Sequence, residues 1–372
     1  MDLLNANRQW ASRPADERFP SLEALHAFVA GRRQRSREKL IEDPKVLKVV
    51  PEGENLSLVG PKNIPVPLSY RAFYQLAIRA KASPGFLTEL SAPTAAIVLN
   101  ERIQQRGGLM IGEDFGREGS KAKGLNILFE QNGSMLVRAV TSDIYARIWD
   151  VEIVERLMDL ASGGDWTVPP ARSSQGSDAS GLYAGDRDLF AFMVNEKNRI
   201  QDGSDGGLAR GFFIQNSEVG EASFQLITFL YRYVCGNHIV WGAENVTRLW
   251  VRHVGRAHSR AFDSFRLEIR KYADRAASLD EARIKSAKSF LLGAKREDVV
   301  DLVFGKKLLT RQAAGEAYDL ARQNDKVDGA PNSAWGFAQG ITRLSQGLQF
   351  ANERTDLDVA AGRILDLAVA KN

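Results

Sequence analysis

Apolar positions along the chain fall into two periods. Residues 1–40 read as helical: behind Ser21, a plausible N-cap, Leu22, Leu25, Phe28 and Val29 recur three and four apart. Residues 46–68 switch to short apolar runs, Val46 to Val50 and Leu56 to Val59, broken by Pro61, Pro65 and Pro67, and predict short strands with turns. Helical spacing returns at about 69–80 and 92–106, with Pro93 in the first turn of the second helix and Gly107-Gly108 as its stop. Leu125 to Phe129 and Met135 to Val140 flank Asn132-Gly133, the strongest short hairpin signal. Val151, Val154, Leu157, Met158 and Ala161 then mark one face of a helix over 150–161.

A composition break follows. Residues 162–181 are rich in Gly, Ser and Pro and read as a linker or long surface loop, and 201–207 is a second such stretch. Beyond it strands are expected at 189–194, 211–215, 222–234 and 239–241, with a turn at Asn216 to Gly220. The pattern from about 243 onward is helical, its first helix running from Ala243 to about Ala277 with a break at Gly255. Strand after strand and then helices is an α+β order, an antiparallel meander packed with helices and a helical C-terminal third. The expected organisation is an N-terminal α+β region (1–161), the linker or loop (162–181), and a meander followed by a basic helix and helical tail (182–372).

Composition adds bounds. Of 372 residues 44% are hydrophobic and 26% charged, so a buried core is expected. The lone Cys235 allows no internal disulfide, and no basic-then-apolar leader or run of about 18 apolar residues is seen. A cytoplasmic protein with no membrane contact is expected. The formal charge of +4 and pI near 9.1 permit contact with phosphate without demanding it.

Chemistry-bearing motifs are sparse. His26, His238, His253 and His258 include no i,i+4 pair, and there is no Cys-x-x-Cys, so neither a metal nor another cofactor is called for. Cys235 beside His238 reads as a buried structural cysteine; no nucleophile elbow and no phosphate loop are present, although Gly119 to Gly124 is basic and glycine-bounded. Glu218 and Glu221 share one turn and either bind a cation with His253 or sit in a solvated turn in which Gly220 takes positive φ. The clearest physical signal is basic: Arg248, Arg252, Arg256 and Arg260 follow an i+4 ladder, and Arg266, Arg270, Lys271 and Arg275 lie further along the same stretch, opposed only by Asp263, Glu268 and Asp274. Like charges on one helix face repel, and a polyanion relieves this. Arg232 and the aromatics Tyr231, Tyr233 and Trp241 lie on the preceding strands, where the rings either stack on bases or belong to the core.

Four segments carry a family resemblance: Arg138 to Ile148 (RAVTSDIYARI), Phe213 to Gly220 (FIQNSEVG), Arg232 to Asn237 (RYVCGN) followed by Arg252-His253, and Ser333 to Gly336 with Ile341 to Arg343. In this order they resemble a bacterial, phage- and plasmid-borne family known as domain of unknown function 932. The chain departs from its pattern at Asn237-His238, where His stands in place of Gly. The resemblance implies a mobile-element setting beside DNA-processing genes and supplies no catalytic residues. The element order is also similar to the β-β-β-α core of phage single-strand annealing proteins. Together these lead to an expected nucleic-acid-binding accessory protein, with DNA favoured over RNA, non-enzymatic and homo-oligomeric, acting in strand annealing or protection. The alternatives are a metal-dependent hydrolase or nuclease using Glu218, Glu221 and His253, and an assembly or host-interaction protein without nucleic acid.

Overall fold

The computed structural model describes residues 17–105, 109, 124–168, 181–201, 207–232, 238–239, 248–274, 277–347 and 351–369. Its centre is an antiparallel sheet ordered β12-β11-β10-β9-β7, with β13 also on β11 and β8 also on β9. The strands are β7 (Trp166–Thr167), β8 (Leu182–Ala184), β9 (Leu189–Ile200), β10 (Leu208–Asn216), β11 (Phe224–Arg232), β12 (His238–Ile239) and β13 (Arg248–Val251). Every residue of β10 is buried, because both of its faces are covered. Alternation divides its side chains: Phe212 and Ile214 point to one face, Phe213 to the other.

The first face is covered by three helices: α1 (Leu22–Arg35), α5 (Asp150–Ser162) and α6 (Ala257–Ala273). Leu22, Leu25 and Val29 of α1, Ile153, Val154 and Leu157 of α5, and Phe262, Phe265 and Ile269 of α6 share one cluster with Phe212, Ile214, Phe224 and Leu226. This cluster draws on residues from both sides of 162–181. Ser21 caps α1 by accepting from the Ala24 N–H at 3.2 Å. The opposite face groups Tyr183, Phe190, Phe192, Phe213, Ile227 and Phe229.

Two further units flank the sheet. In the first, β1 (Ser36–Ile41), β5 (Leu125–Asn132) and β6 (Ser134–Ser142) form one sheet, and β2 (Lys48–Glu52), β3 (Asn55–Val59) and β4 (Pro65–Pro67) another. Helices α2 (Tyr70–Arg79), α3 (Pro84–Thr88) and α4 (Ala92–Gln104) pack on them through Phe73, Leu76, Leu87, Leu99 and Ile103. The Asn-Gly signal is used as expected: Asn132 pairs with Ser134, and Gly133 takes φ +69°. The second unit holds α7 (Ala277–Ser289), α8 (Arg296–Gly305), α9 (Arg311–Gln323), α10 (Asp325–Asp328), α11 (Ala334–Gly347) and α12 (Ala351–Val369). Its core surrounds the fully buried Trp335 and Phe337, and Ile200, Leu208 and Leu230 join it to the large sheet. The chain is thus α+β, with antiparallel sheets packed by helices and a helical C-terminal part.

Two expected elements are corrected. Residues 36–40 do not continue the first helix: it ends at Arg35, and Ser36–Ile41 is strand β1, paired with β5. Residues 243–277 do not form one helix: Arg248–Val251 is strand β13, and the helix begins at Ala257. Leu249 and Val251 are two apart, a spacing that puts both on one face of a strand but not of a helix, and they pair with Leu226 and Phe224 of β11. The sheet edge supplied by β11 completes the strand. Gly255 at φ +59° turns the chain from strand to helix.

Candidate nucleic-acid interface

The arginines of the expected ladder are distributed over three kinds of backbone. Arg248 lies in β13, Arg252 in the loop after it, Arg256 at the N-cap of α6, and Arg260 in the first turn of that helix. They do not form an i+4 ladder, because the strand advances about 3.3 Å per residue with alternating sides. Arg252 is half-buried, and Arg256, Arg260, Arg266, Arg270 and Lys271 are exposed. On the same helix Lys271 pairs with Glu268 at 3.1 Å and Arg270 with Asp274 at 3.9 Å. Arg260 turns its guanidinium back onto the carbonyls of Val254 (2.7 Å) and Arg256 (3.4 Å), and among the described residues it is in no ion pair. Asp263 is the remaining exposed acid on this helix before Asp274.

Tyr231 and Arg232 stand at the end of β11, and Tyr231 pairs with His238 of β12. Tyr233 and Trp241 lie outside the described residues, as do Cys235 and Arg275. Trp250, which the sequence reading passed over, is half exposed on β13 between the inward Leu249 and Val251.

The loop that carries Arg252 and Arg256 is anchored. The Ala146 N–H donates to the His253 carbonyl at 2.9 Å, His253 Nδ1 lies 3.3 Å from the Ala146 carbonyl, and Tyr145 bridges Val254. The His253 ring stacks on Tyr145 with centroids 5.1 Å apart and planes 14° apart. Burial pushes the imidazole down to about 4, so it is neutral at pH 7. Burial likewise raises the Tyr145 phenol, whose O–H donates to the Ser217 carbonyl at 2.9 Å. Arg147 lies beside them, its guanidinium 5.1 Å from the Tyr145 ring and 5.5 Å from that of Trp149, with Nε on Glu38 at 3.0 Å.

Behind the anchor is a buried knot of charges. Residues 216–221, expected as a solvated turn, are closed off: Asn216, Ser217, Glu218 and Val219 are all buried. Glu218 Oε2 accepts from Arg138 Nη1 at 3.1 Å, and its Oε1 accepts from the Asp150 N–H at 3.1 Å. Asn216 Nδ2 donates to Asp150 Oδ1 (2.7 Å) and to the Ile148 carbonyl (2.9 Å). Arg138 also meets Glu130 at 3.3 Å, and Arg32 donates to the Gly185 carbonyl at 2.6 Å. Burial and the neighbouring Glu218 push the Asp150 carboxyl up to about 8, against the pull of Asn216, Arg32 and Arg138. Burial lowers Arg32, with Arg138 adding to the effect. Arg138 is thus shared between Glu218 and Glu130, and Glu130 is also met by Arg35 at 3.3 Å, which leaves Asp150 with Asn216 and a neighbouring carboxylate in place of a direct ion pair.

Glu221 leaves this knot and pairs with Arg71 at 2.7 Å. Glu218, Glu221 and His253 therefore take separate partners, and among the described residues no group of three or more His, Cys, Asp or Glu is arranged to hold a metal. Gly220 takes the expected positive φ, +75°. Of the knot, Arg138 and Asn216 to Glu218 fall in the segments that carried the family resemblance. Asp150 and Arg32 went unnoticed, since one reads as a helix-start acid and the other as part of a basic run.

The chain is thus an α+β protein whose large antiparallel sheet carries, at the 216–221 turn, a buried cluster of carboxylates and guanidinium groups. The family model described as Domain of unknown function (DUF932) matches residues 138–359, and the chain belongs to that family. No curated protein and no solved structure matches it. No helix among the described residues is long and apolar enough to cross a membrane.

Proposed function

We propose that this chain is a non-enzymatic nucleic-acid-binding protein, with its phosphate contacts on the 252–256 loop and the solvent face of α6. The observation that carries the reading is the uncompensated charge there. Once Lys271 and Arg270 are set against Glu268 and Asp274, Arg256, Arg260 and Arg266 face Asp263 alone on that helix. Arginine forks suit phosphate oxygens, and neutralising phosphates releases counterions. The stacked Tyr145–His253 pair and its backbone bonds hold Arg252 and Arg256 in place, so little ordering entropy is lost on binding.

The enzymatic alternative finds less support. The carboxylates of Asp150 and Glu218 are buried and engaged by Asn216, Arg138 and a backbone amide, which leaves no open acid–base pair at that position.

The test is fluorescence anisotropy with labelled single- and double-stranded DNA across a salt series. Binding is expected to weaken steeply with salt, by roughly 0.9 log units per log unit of salt for each duplex phosphate contacted. Reversing Arg252, Arg256 and Arg260 to Glu together is expected to abolish binding while the far-ultraviolet circular dichroism is kept. Unchanged affinity in that variant removes the assignment.

A further inference from the structure

The 252–256 loop is not the end of the surface it belongs to. Tyr145, stacked beneath that loop, also lies against the 216–221 turn: a Cβ on Gly220 would sit 3.6 Å from the Tyr145 ring. On the far side of the turn Arg71 of α2 donates to the Gly220 carbonyl at 2.6 Å and pairs with Glu221. Gln75, one turn further along α2, donates to the Val219 carbonyl at 2.7 Å. One surface therefore runs from Arg256 and Arg252, over Tyr145 and Gly220, to the first turns of α2.

That end of α2 presents aromatic rings. Tyr70 is 58% exposed, the half-buried Tyr74 stands 6.4 Å from it, and the exposed Arg187 places its guanidinium 5.6 Å from the Tyr70 ring. The group is held rigidly. Ser69 caps the helix through the Ala72 N–H, the Arg71 bonds tie it to the turn, and the Ser217 hydroxyl donates to the Arg187 carbonyl. An exposed ring beside an arginine stacks on unpaired bases, whose faces a duplex hides. Tyrosine also loses little rotamer freedom when it stacks.

We propose that Tyr70, Tyr74 and Arg187 form a base-stacking platform that selects single-stranded nucleic acid. The bases rest on Tyr70 while the backbone continues past the 216–221 turn toward Arg252 and Arg256. This rests on the nucleic-acid reading above and deepens it: the arginines supply affinity for any polyanion, and the platform supplies the strand preference. It also fills the role for which Tyr231, Tyr233 and Trp241 were expected.

The experiment compares the full chain with Tyr70→Ala, Tyr70→Trp and the double variant Tyr70→Ala/Tyr74→Ala. The probes are a labelled oligo-dT strand and a duplex of equal length. Tyr70 is more than half exposed, so its replacement leaves the core intact. Tyr70→Ala is expected to lose roughly 10- to 100-fold in affinity for the single strand and less than about twofold for the duplex. Tyr70→Trp is expected to retain binding, with indole fluorescence quenched by the single strand. If wild-type protein binds in a salt-dependent way and Tyr70→Ala binds the single strand equally well, the platform is overturned and the arginine surface stands. If wild-type protein binds neither probe at low salt, both are overturned. If Tyr70→Ala spares DNA binding but disrupts self-association in sedimentation, the rings are a protein contact and the platform is likewise overturned.

Discussion

Asp150→Asn isolates the proton held in the buried knot. In the folded chain the Asp150 carboxyl lies at about 8, against 3.8 for the unperturbed group, because burial and Glu218 disfavour its charge. A raised folded value means that the folded state keeps a proton the unfolded state has lost. Its stabilising contribution is therefore whole below about pH 4 and declines as pH rises toward 8. His253 works in the opposite sense. Its folded value of about 4 lies below the ordinary 6.5, so stability is gained as pH rises through that interval. The two slopes offset between about pH 4 and 6.5. From 6.5 to 8 the Asp150 slope stands alone, at about 1.4 kcal/mol per pH unit, or about 2 kcal/mol in total. The groups that face Asp150 are Glu218, Asn216, Arg32 and Arg138, and asparagine preserves the acceptor that Asn216 uses at 2.7 Å. Asp150→Asn removes this slope and keeps that of His253, so its stability relative to wild type is expected to rise with pH throughout this range and to gain about 2 kcal/mol between pH 6.5 and 8. Urea denaturation followed by tryptophan fluorescence from pH 5 to 8.5 measures this. A wild-type profile flat from 6.5 to 8, or a variant destabilised equally at every pH, refutes the reasoning.

Other expectations follow from the same packing. Arg210 of β10 and Asp280 of α7 form a buried pair at 2.7 Å that ties the sheet to the C-terminal helices. Asp280→Ala is expected to cost about 3–5 kcal/mol, and adding Arg210→Met is expected to recover part of that, as a double-mutant cycle in urea will show. Gly340→Ala would put a Cβ 2.1 Å from the Ala317 carbonyl, forcing α9 and α11 apart. Overpacking outweighs the helix propensity gained, and a loss of about 1–3 kcal/mol is expected by thermal melting. At the hairpin, Gly133→Val forces a β-branched residue to φ +69° and is expected to lower the midpoint with no loss of DNA affinity, checked by melting and anisotropy.

Local pattern carried much of the fold. The Ser21 cap, the Asn132-Gly133 hairpin, the helices at 70–79, 92–104 and 150–162 and the strands of the meander all depend on contacts within a few residues, so periodicity and turn chemistry suffice to place them. The segment 248–260 was not legible. Leu249 and Val251 carry the strand period over only four residues beside a helical stretch, and the open edge of β11, brought there by distant sequence, completed them as a strand. The arginine ladder dissolved for that reason, although Arg256 and Arg260 still share the start of α6.

The sequence by itself determined most of the helices, the Asn132-Gly133 hairpin and where cationic charge accumulates, because each is set by neighbours along the chain. The tertiary structure alone decided that Glu218 is buried against Arg138 and Asp150, and that Arg71 of α2 meets the Gly220 carbonyl. Those residues are separated by many tens of positions. Burial and charge balance act on what is close in space, and only the packed sheet and helices bring these groups together.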